Sequence, residues 1–231
     1  MLQNVSNKFR SGCMMLARSQ GDAITFLGST FLVHRDGYLL TAAHLTHEEQ
    51  GLVAVPSTFS DEFVPVVLDR VAAMPVSVVR RDEDHDVALL RFDQDIGIGV
   101  PDDFLGSTSA VRPGASVMGL GFSFGHQMVH NLLGYNAVVC AKMRSSNDTD
   151  LILFDSAFHE GDRGGPLIHV ADSHIVGIIT GRFEPAEIAR QSGGAGELLE
   201  PRETNVSYAV AIEYGIELMN AESLIHSFDG S

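Results

Sequence analysis

Three short stretches carry side chains suited to acyl chemistry. Leu40-Thr41-Ala42-Ala43-His44 runs an apolar strand into a small-residue turn that presents one imidazole. Asp84-His85-Asp86-Val87-Ala88-Leu89-Leu90 sets acidic residues directly before a second apolar strand. Gly161-Asp162-Arg163-Gly164-Gly165-Pro166-Leu167 is a glycine-rich loop. A histidine, with an ordinary pKa of about 6.5, can take a proton near neutral pH. A carboxylate beside it fixes its tautomer and stabilises the imidazolium that forms. Glycines allow a tight turn whose N–H groups can face a developing oxyanion. In the second stretch, Asp84, His85 and Asp86 all compete for the orienting role, and a strand-start cap is the plain alternative for Asp86.

The rest of the chain must position these stretches. Its 231 residues are 45% hydrophobic and 19% charged, which suits one compact unit or two small halves and argues against disorder. Asp and Glu number 30 against 15 Lys and Arg, a net charge of −15. That balance argues against nucleic acid, which needs a basic face, and against anionic membrane. No apolar run approaches the 18 or so residues of a membrane span. Cys13 and Cys140 are too few for a zinc site or a disulfide framework, so free thiols are expected. His126, His130, His169 and His174 lack tight ligand spacing, and no metal or cofactor is expected. The first eight residues lack the basic-then-apolar order of a secretory leader, and a cytoplasmic protein is the expectation.

Strand-like runs dominate. Residues 23–33 are rich in β-branched and aromatic side chains and end at His34-Arg35-Asp36-Gly37, a hairpin signal, with residues 38–42 as the return strand. Further strands are expected at 64–68, 76–80, 87–92, 116–121, 137–142, 151–156, 166–169, 175–180 and 207–211. Short strands separated by Gly and Asp turns predict an all-β barrel or sandwich. Helix is expected only as one turn at 42–46 and over 213–228, where Ile216, Met219 and Leu224 are spaced to share a face. Residues 191–196 read as a flexible loop.

Taken together and in this order, the three stretches resemble the trypsin-like (chymotrypsin-fold) serine peptidases, nearest to the HtrA-type members that lack the disulfides of digestive enzymes. The resemblance covers roughly residues 20–215. It implies two six-stranded antiparallel β-barrels with the active cleft between them and a short C-terminal helix. The implied division is 1–100 for a first barrel carrying His44 and Asp86, 101–114 for a connector, 115–212 for a second barrel carrying the Gly161–Pro166 loop, and 213–231 for the helix and tail. By resemblance His44 is the base and Asp86 the orienter, because Asp86 directly precedes the apolar strand. The backbone N–H groups of Gly161 and Arg163 would form the oxyanion hole. Ala157 would lie at the base of the specificity pocket, with Phe158, Thr180, Gly181 and Arg182 along the substrate cleft and Phe158 and Ile179 adding apolar wall. Ala157 favours a small or hydrophobic side chain at the cleaved position; Arg182 instead favours an acidic one.

One residue departs from the family pattern Gly-x-Ser-Gly-Gly-Pro: Arg163 stands where the nucleophilic serine is expected. A guanidinium stays protonated and is no nucleophile in water. Its expected partners are Asp86, Asp162 or Glu160 as carboxylates, or the cleft rim. Ser156 and Ser173 are the nearest hydroxyls in sequence, and the glycine loop positions neither. The implied function is therefore a serine endopeptidase lineage that is inactive as written. It is read either as an inactivated enzyme or as a natural pseudopeptidase acting as a peptide-binding, regulatory or scaffold module. A protein or peptide substrate is the expected partner, with regulation by a second protein as a further expectation.

Overall fold

Apolar residues at alternate positions, offset between neighbouring strands, produce two covered faces on one sheet. The strand Val87–Phe92 shows this. Val87, Ala88, Leu89 and Leu90 are all fully buried. Val87 and Leu89 join a core shared with Val33, Leu40 and Ile212. Leu90 and Phe92 turn to the opposite face and pack with Leu16, Leu39 and Val76. A period of two sends successive side chains to opposite faces, so a strand apolar on both must be covered on both. Each fully buried Leu contributes about 1.5–3 kcal/mol.

The computed structural model describes residues 1–21, 23–57, 62–67, 71–184 and 204–224. A helix α1 (Leu2–Phe9) precedes β1 (Cys13–Gln20), β2 (Ala23–His34), β3 (Tyr38–Thr41), β4 (Leu52–Pro56), β5 (Met74–Asp82) and β6 (Val87–Phe92). These six strands close antiparallel in the order β1-β2-β3-β6-β5-β4. Next come β7 (Ser116–Gly121), β8 (Leu133–Arg144), β9 (Asp150–Phe154), β10 (Pro166–His169), β11 (His174–Arg182) and β12 (Ser207–Ala211). They close a second antiparallel barrel in the order β10-β11-β12-β9-β8-β7. Helix α2 (Ile212–Ala221) follows directly. This is the two-barrel architecture with a C-terminal helix that the sequence implied.

The terminal helices tie the two barrels together. Val5 and Phe9 of α1 are buried in the same core as Met118, Leu120, Ile168 and Ile175 of the second barrel. The Lys8 ammonium donates to the Ser173 carbonyl at 2.9 Å, and the Phe9 ring lies 6.5 Å from that of Phe104. Helix α2 packs against both barrels, on β5 and β6 of the first and on β11 and β12 of the second. A Cβ at Gly215 would sit 2.6 Å from Leu40 Cδ1, so a larger residue would require Leu40 to shift. The Tyr214 ring stacks on His85 at 3.9 Å.

The Asp36-Gly37 hairpin signal is realised, with Gly37 at φ +80° and its N–H donating to the His34 carbonyl at 3.1 Å. Some expectations need correction. Residues 64–67 form no strand, because Pro65 lacks a ladder donor and Val66 and Val67 point into solvent. Leu68, the loop 191–196 and residues 225–228 of the expected tail helix lie outside the described residues, and α2 ends at Ala221. Strands β1 and β4 and helix α1 went unpredicted.

Candidate active site

The turn after β3 places the imidazole. Residues Ala43–Thr46 form a 3-10 turn. The Ala43 N–H donates to the Asp86 carbonyl at 3.1 Å, and the His44 N–H donates to Asp86 Oδ1 at 2.8 Å. Asp86 Oδ2 lies 2.8 Å from His44 Nδ1. An ionised carboxylate can only accept, so this hydrogen bond takes its proton from Nδ1, and Nε2 faces away from Asp86. Nε2 is enclosed and has no hydrogen-bond partner among the described residues. Asp86 itself adopts φ +57°, a left-handed conformation that Asp tolerates better than most residues. His44 Nδ1 meets the carboxylate of Asp86 rather than that of Asp84, and the competing His85 turns elsewhere. His85 Nδ1 pairs with Asp82 at 2.7 Å, and the Asp84 carbonyl accepts from Asn147 Nδ2 at 2.6 Å.

The glycine loop is held by the first barrel. Ser29 of β2 is fully buried. Its N–H donates to the Arg163 carbonyl at 2.7 Å, and its hydroxyl donates to the Gly161 carbonyl at 2.7 Å. The same hydroxyl accepts from the Phe122 N–H at 3.0 Å, and the Ser29 carbonyl accepts from Thr41 Oγ1 at 2.8 Å. Gly164, at φ +85°, lies so close that a Cβ would meet the Ser29 oxygen at 2.1 Å. Sequence reasoning missed Ser29; the small residues Gly28-Ser29-Thr30 inside an otherwise apolar strand were the available signal.

Asp162 turns inward. It is fully buried, with Oδ1 accepting from the Ser123 hydroxyl at 2.7 Å and Oδ2 from the His159 N–H at 2.9 Å. Ser123 in turn bonds the Tyr135 hydroxyl. Burial raises the Asp162 carboxyl above its ordinary range, and these hydrogen bonds offset only part of that.

Arg163 meets none of the three carboxylates expected of it and lines the cleft instead. Asp162 is committed to Ser123 and His159, Asp86 to His44, and Glu160 is exposed. The guanidinium is half-buried and makes no ion pair or hydrogen bond among the described residues. The expected oxyanion hole also needs correction. Residues Glu160–Asp162 form a 3-10 turn, and the Arg163 N–H donates to the Glu160 carbonyl at 3.2 Å. That amide is therefore engaged inside its own loop rather than offered to a ligand.

Between the barrels is a cleft of about 560 Å³. His44, Asp86, Phe158, Arg163, Thr180, Gly181 and Arg182 all line it; Ala157 and Gly161 do not. His159, Glu160, Glu184 and Tyr208 complete the wall. Arg182 is fixed by its Nε, which donates to the Phe158 carbonyl at 3.1 Å. Ile179 is buried in the core behind the cleft rather than on its wall. Neither Ser156 nor Ser173 lines the cleft. Among the described residues no group of His, Cys, Asp or Glu is placed to hold a metal ion. Both cysteines are free, Cys13 buried and Cys140 exposed.

Two closed six-stranded barrels, with a His–Asp pair and a glycine loop meeting in the cleft between them, define the chymotrypsin-like fold. Residues 28–178 match the family described as "Trypsin-like peptidase domain", and the chain belongs to that family. Among curated relatives, a "Probable periplasmic serine endoprotease DegP-like" of Pseudomonas putida (strain W619) is 30% identical over 197 residues, 84% of this chain and 34% of the relative. A protein of the same name from Hahella chejuensis is 28% identical over 196 residues, again 84% of this chain and 34% of the relative. The chain thus spans about a third of the length of these relatives. Among solved structures, "HtrA-type protease AlgW with decapeptide" superposes with a TM-score of 0.69 at 20% identity, covering 96% of this chain and 67% of that one. The same protease with a tripeptide gives 0.68 at 21% identity, covering 96% and 63%. These superpositions show the fold. The cytoplasmic location expected from residues 1–8 is overturned by the relatives, which are named periplasmic. A stretch of eight residues without a leader pattern does not define a compartment.

Proposed function

We propose that this chain is a hydrolytically silent trypsin-like peptidase domain that holds a peptide in its cleft. The observation that carries the reading is Arg163, the side chain read at the nucleophile's position, which lines the cleft together with His44. Acyl transfer needs a hydroxyl whose proton the imidazole can take. A guanidinium offers neither a nucleophilic lone pair nor a removable proton. In a Ser-His-Asp enzyme, loss of one member leaves only about 10³–10⁴-fold catalysis over water, from the oxyanion hole and binding. Here the Arg163 amide is already spent on Glu160, which removes part of that remainder as well. The cleft and the His44–Asp86 pair remain suited to a serine endopeptidase parent.

Restoring the hydroxyl tests this. The chain as written should bind peptides saturably without cleaving them and should not react with a fluorophosphonate probe. Labelling of the Arg163→Ser variant that disappears when His44→Ala is added would mean Arg163 alone silences an otherwise complete enzyme. A folded but unlabelled Arg163→Ser variant would mean the loop, with its Arg163–Glu160 bond, has also left catalytic geometry and would favour a long-standing binding module. Cleavage of casein by the unsubstituted chain, lost on His44→Ala, would refute the proposal.

A further inference from the structure

We infer that the group seated against Arg163 is a carboxylate, supplied by an acidic side chain or by a peptide C-terminus. The inference rests on the peptide-binding reading above and names the chemistry of the ligand. Two guanidinium groups, Arg163 and Arg182, line one confined cleft. Arg163 has no ion-pair partner among the described residues. Arg182 spends its Nε on the Phe158 carbonyl, which fixes the side chain and leaves its terminal nitrogens without a partner among the described residues. A partly desolvated cation without a counter-ion is costly, and an incoming anion relieves that cost. The planar fork of a guanidinium matches the two oxygens of a carboxylate.

The acidic groups of the cleft do not answer this need. Asp86 uses one oxygen on the His44 N–H and the other on its ring. Glu160 and Glu184 stand exposed at the rim and pair with neither arginine. Nor does the rest of the molecule favour an anion. With a net charge of −15 the whole chain repels acidic peptides and attracts basic ones. A preference for a carboxylate must therefore come from the cleft itself, and it runs against the direction that overall charge would give.

Fluorescence polarisation with labelled decapeptides of one scaffold tests the inference on the full chain. One peptide has neutral side chains and a free C-terminus. Three are amidated and carry Glu, Gln or Lys at the centre. The Glu peptide or the free-acid peptide is expected to bind at least about tenfold tighter than the Gln amide. Which of the two gains identifies the source of the carboxylate. The preference should vanish in Arg163→Met, which keeps a long side chain without the charge, and should weaken in Arg182→Met; circular dichroism reports whether each variant folds. Equal affinity for all four peptides, tightest binding of the Lys peptide, or a preference that survives both substitutions would overturn the inference and leave peptide binding standing. Saturable binding of none of them would overturn the peptide-binding reading itself.

Discussion

Ser29 is the joint between the barrels, and removing its hydroxyl should be costly far beyond its size. The oxygen donates to the Gly161 carbonyl at 2.7 Å and accepts from the Phe122 N–H at 3.0 Å. Ser29, Gly161 and Phe122 are all buried, so Ser29→Ala strands a carbonyl and an amide where water cannot readily follow. Each stranded buried group costs about 1–3 kcal/mol. Partial relaxation of the loop reduces the total, which we place at about 2–4 kcal/mol. This is a large part of the 5–15 kcal/mol that typically holds a domain together. Urea unfolding followed by far-UV circular dichroism and by tyrosine fluorescence (the chain has no Trp) would measure it. Ser29→Cys, with a weaker donor of similar shape, should fall between wild type and Ser29→Ala. Amide exchange should quicken at residues 161–164, because the hydroxyl is one of the bonds holding that loop. A loss below about 0.5 kcal/mol, the range of ordinary surface substitutions, would refute the idea that Ser29 ties the barrels together.

Other consequences are open to direct measurement. Gly164→Ala forces a side chain into φ +85° and against the Ser29 oxygen, and should cost at least about 2 kcal/mol; a melting point within error of wild type would count against it. Thiol titration should find Cys140 reacting in the native protein but slowed, since burial and Asp155 raise its pKa. Cys13, buried with its pKa raised by desolvation, should react only on unfolding, and equal native rates would contradict this. The folded Asp162 carboxyl holds its proton above the ordinary value of 3.8, while the unfolded chain has already released it. Stability from this group is therefore gained as pH falls through the folded pKa and lost as pH rises through the window above 3.8. Asp162→Asn should flatten that slope in urea midpoints taken across the window, and parallel curves for the two proteins would refute the assignment. The partly exposed Arg80–Glu222 pair joins β5 to the end of α2 at 2.5 Å, and Glu222→Gln should cost under about 1 kcal/mol in the same assay.

The sequence was most legible where local pattern and tertiary demand coincide. Val87–Phe92 and Pro166–His169 are bounded as expected because turns flank apolar runs and both faces are covered. His44 and Asp86 were legible as a pair because each sits at the end of such a strand. Strand β1 was not, because Cys13-Met14-Met15-Leu16-Ala17 has no β-branched residue and no alternation, and becomes a strand through pairing with β2 and β4. Helix α1 was missed because its apolar face is small and finds its partners in the distant second barrel. The geometry of Arg163 was not legible at all. Whether a guanidinium meets Asp162 depends on which way that carboxylate turns, and Ser123, far away in sequence, decides it.

The place of α2 against both barrels bears on how such a molecule is made. The surface of the first barrel around Leu40 is closed by Gly215 of α2, which lies beyond the entire second barrel in the chain. A ribosome adding about 5–20 residues per second needs on the order of ten seconds to travel from β6 to the end of α2. For that interval the first barrel is synthesised but shows an uncovered apolar face. The first barrel therefore reaches its full packing around Leu40 only after α2 has been made.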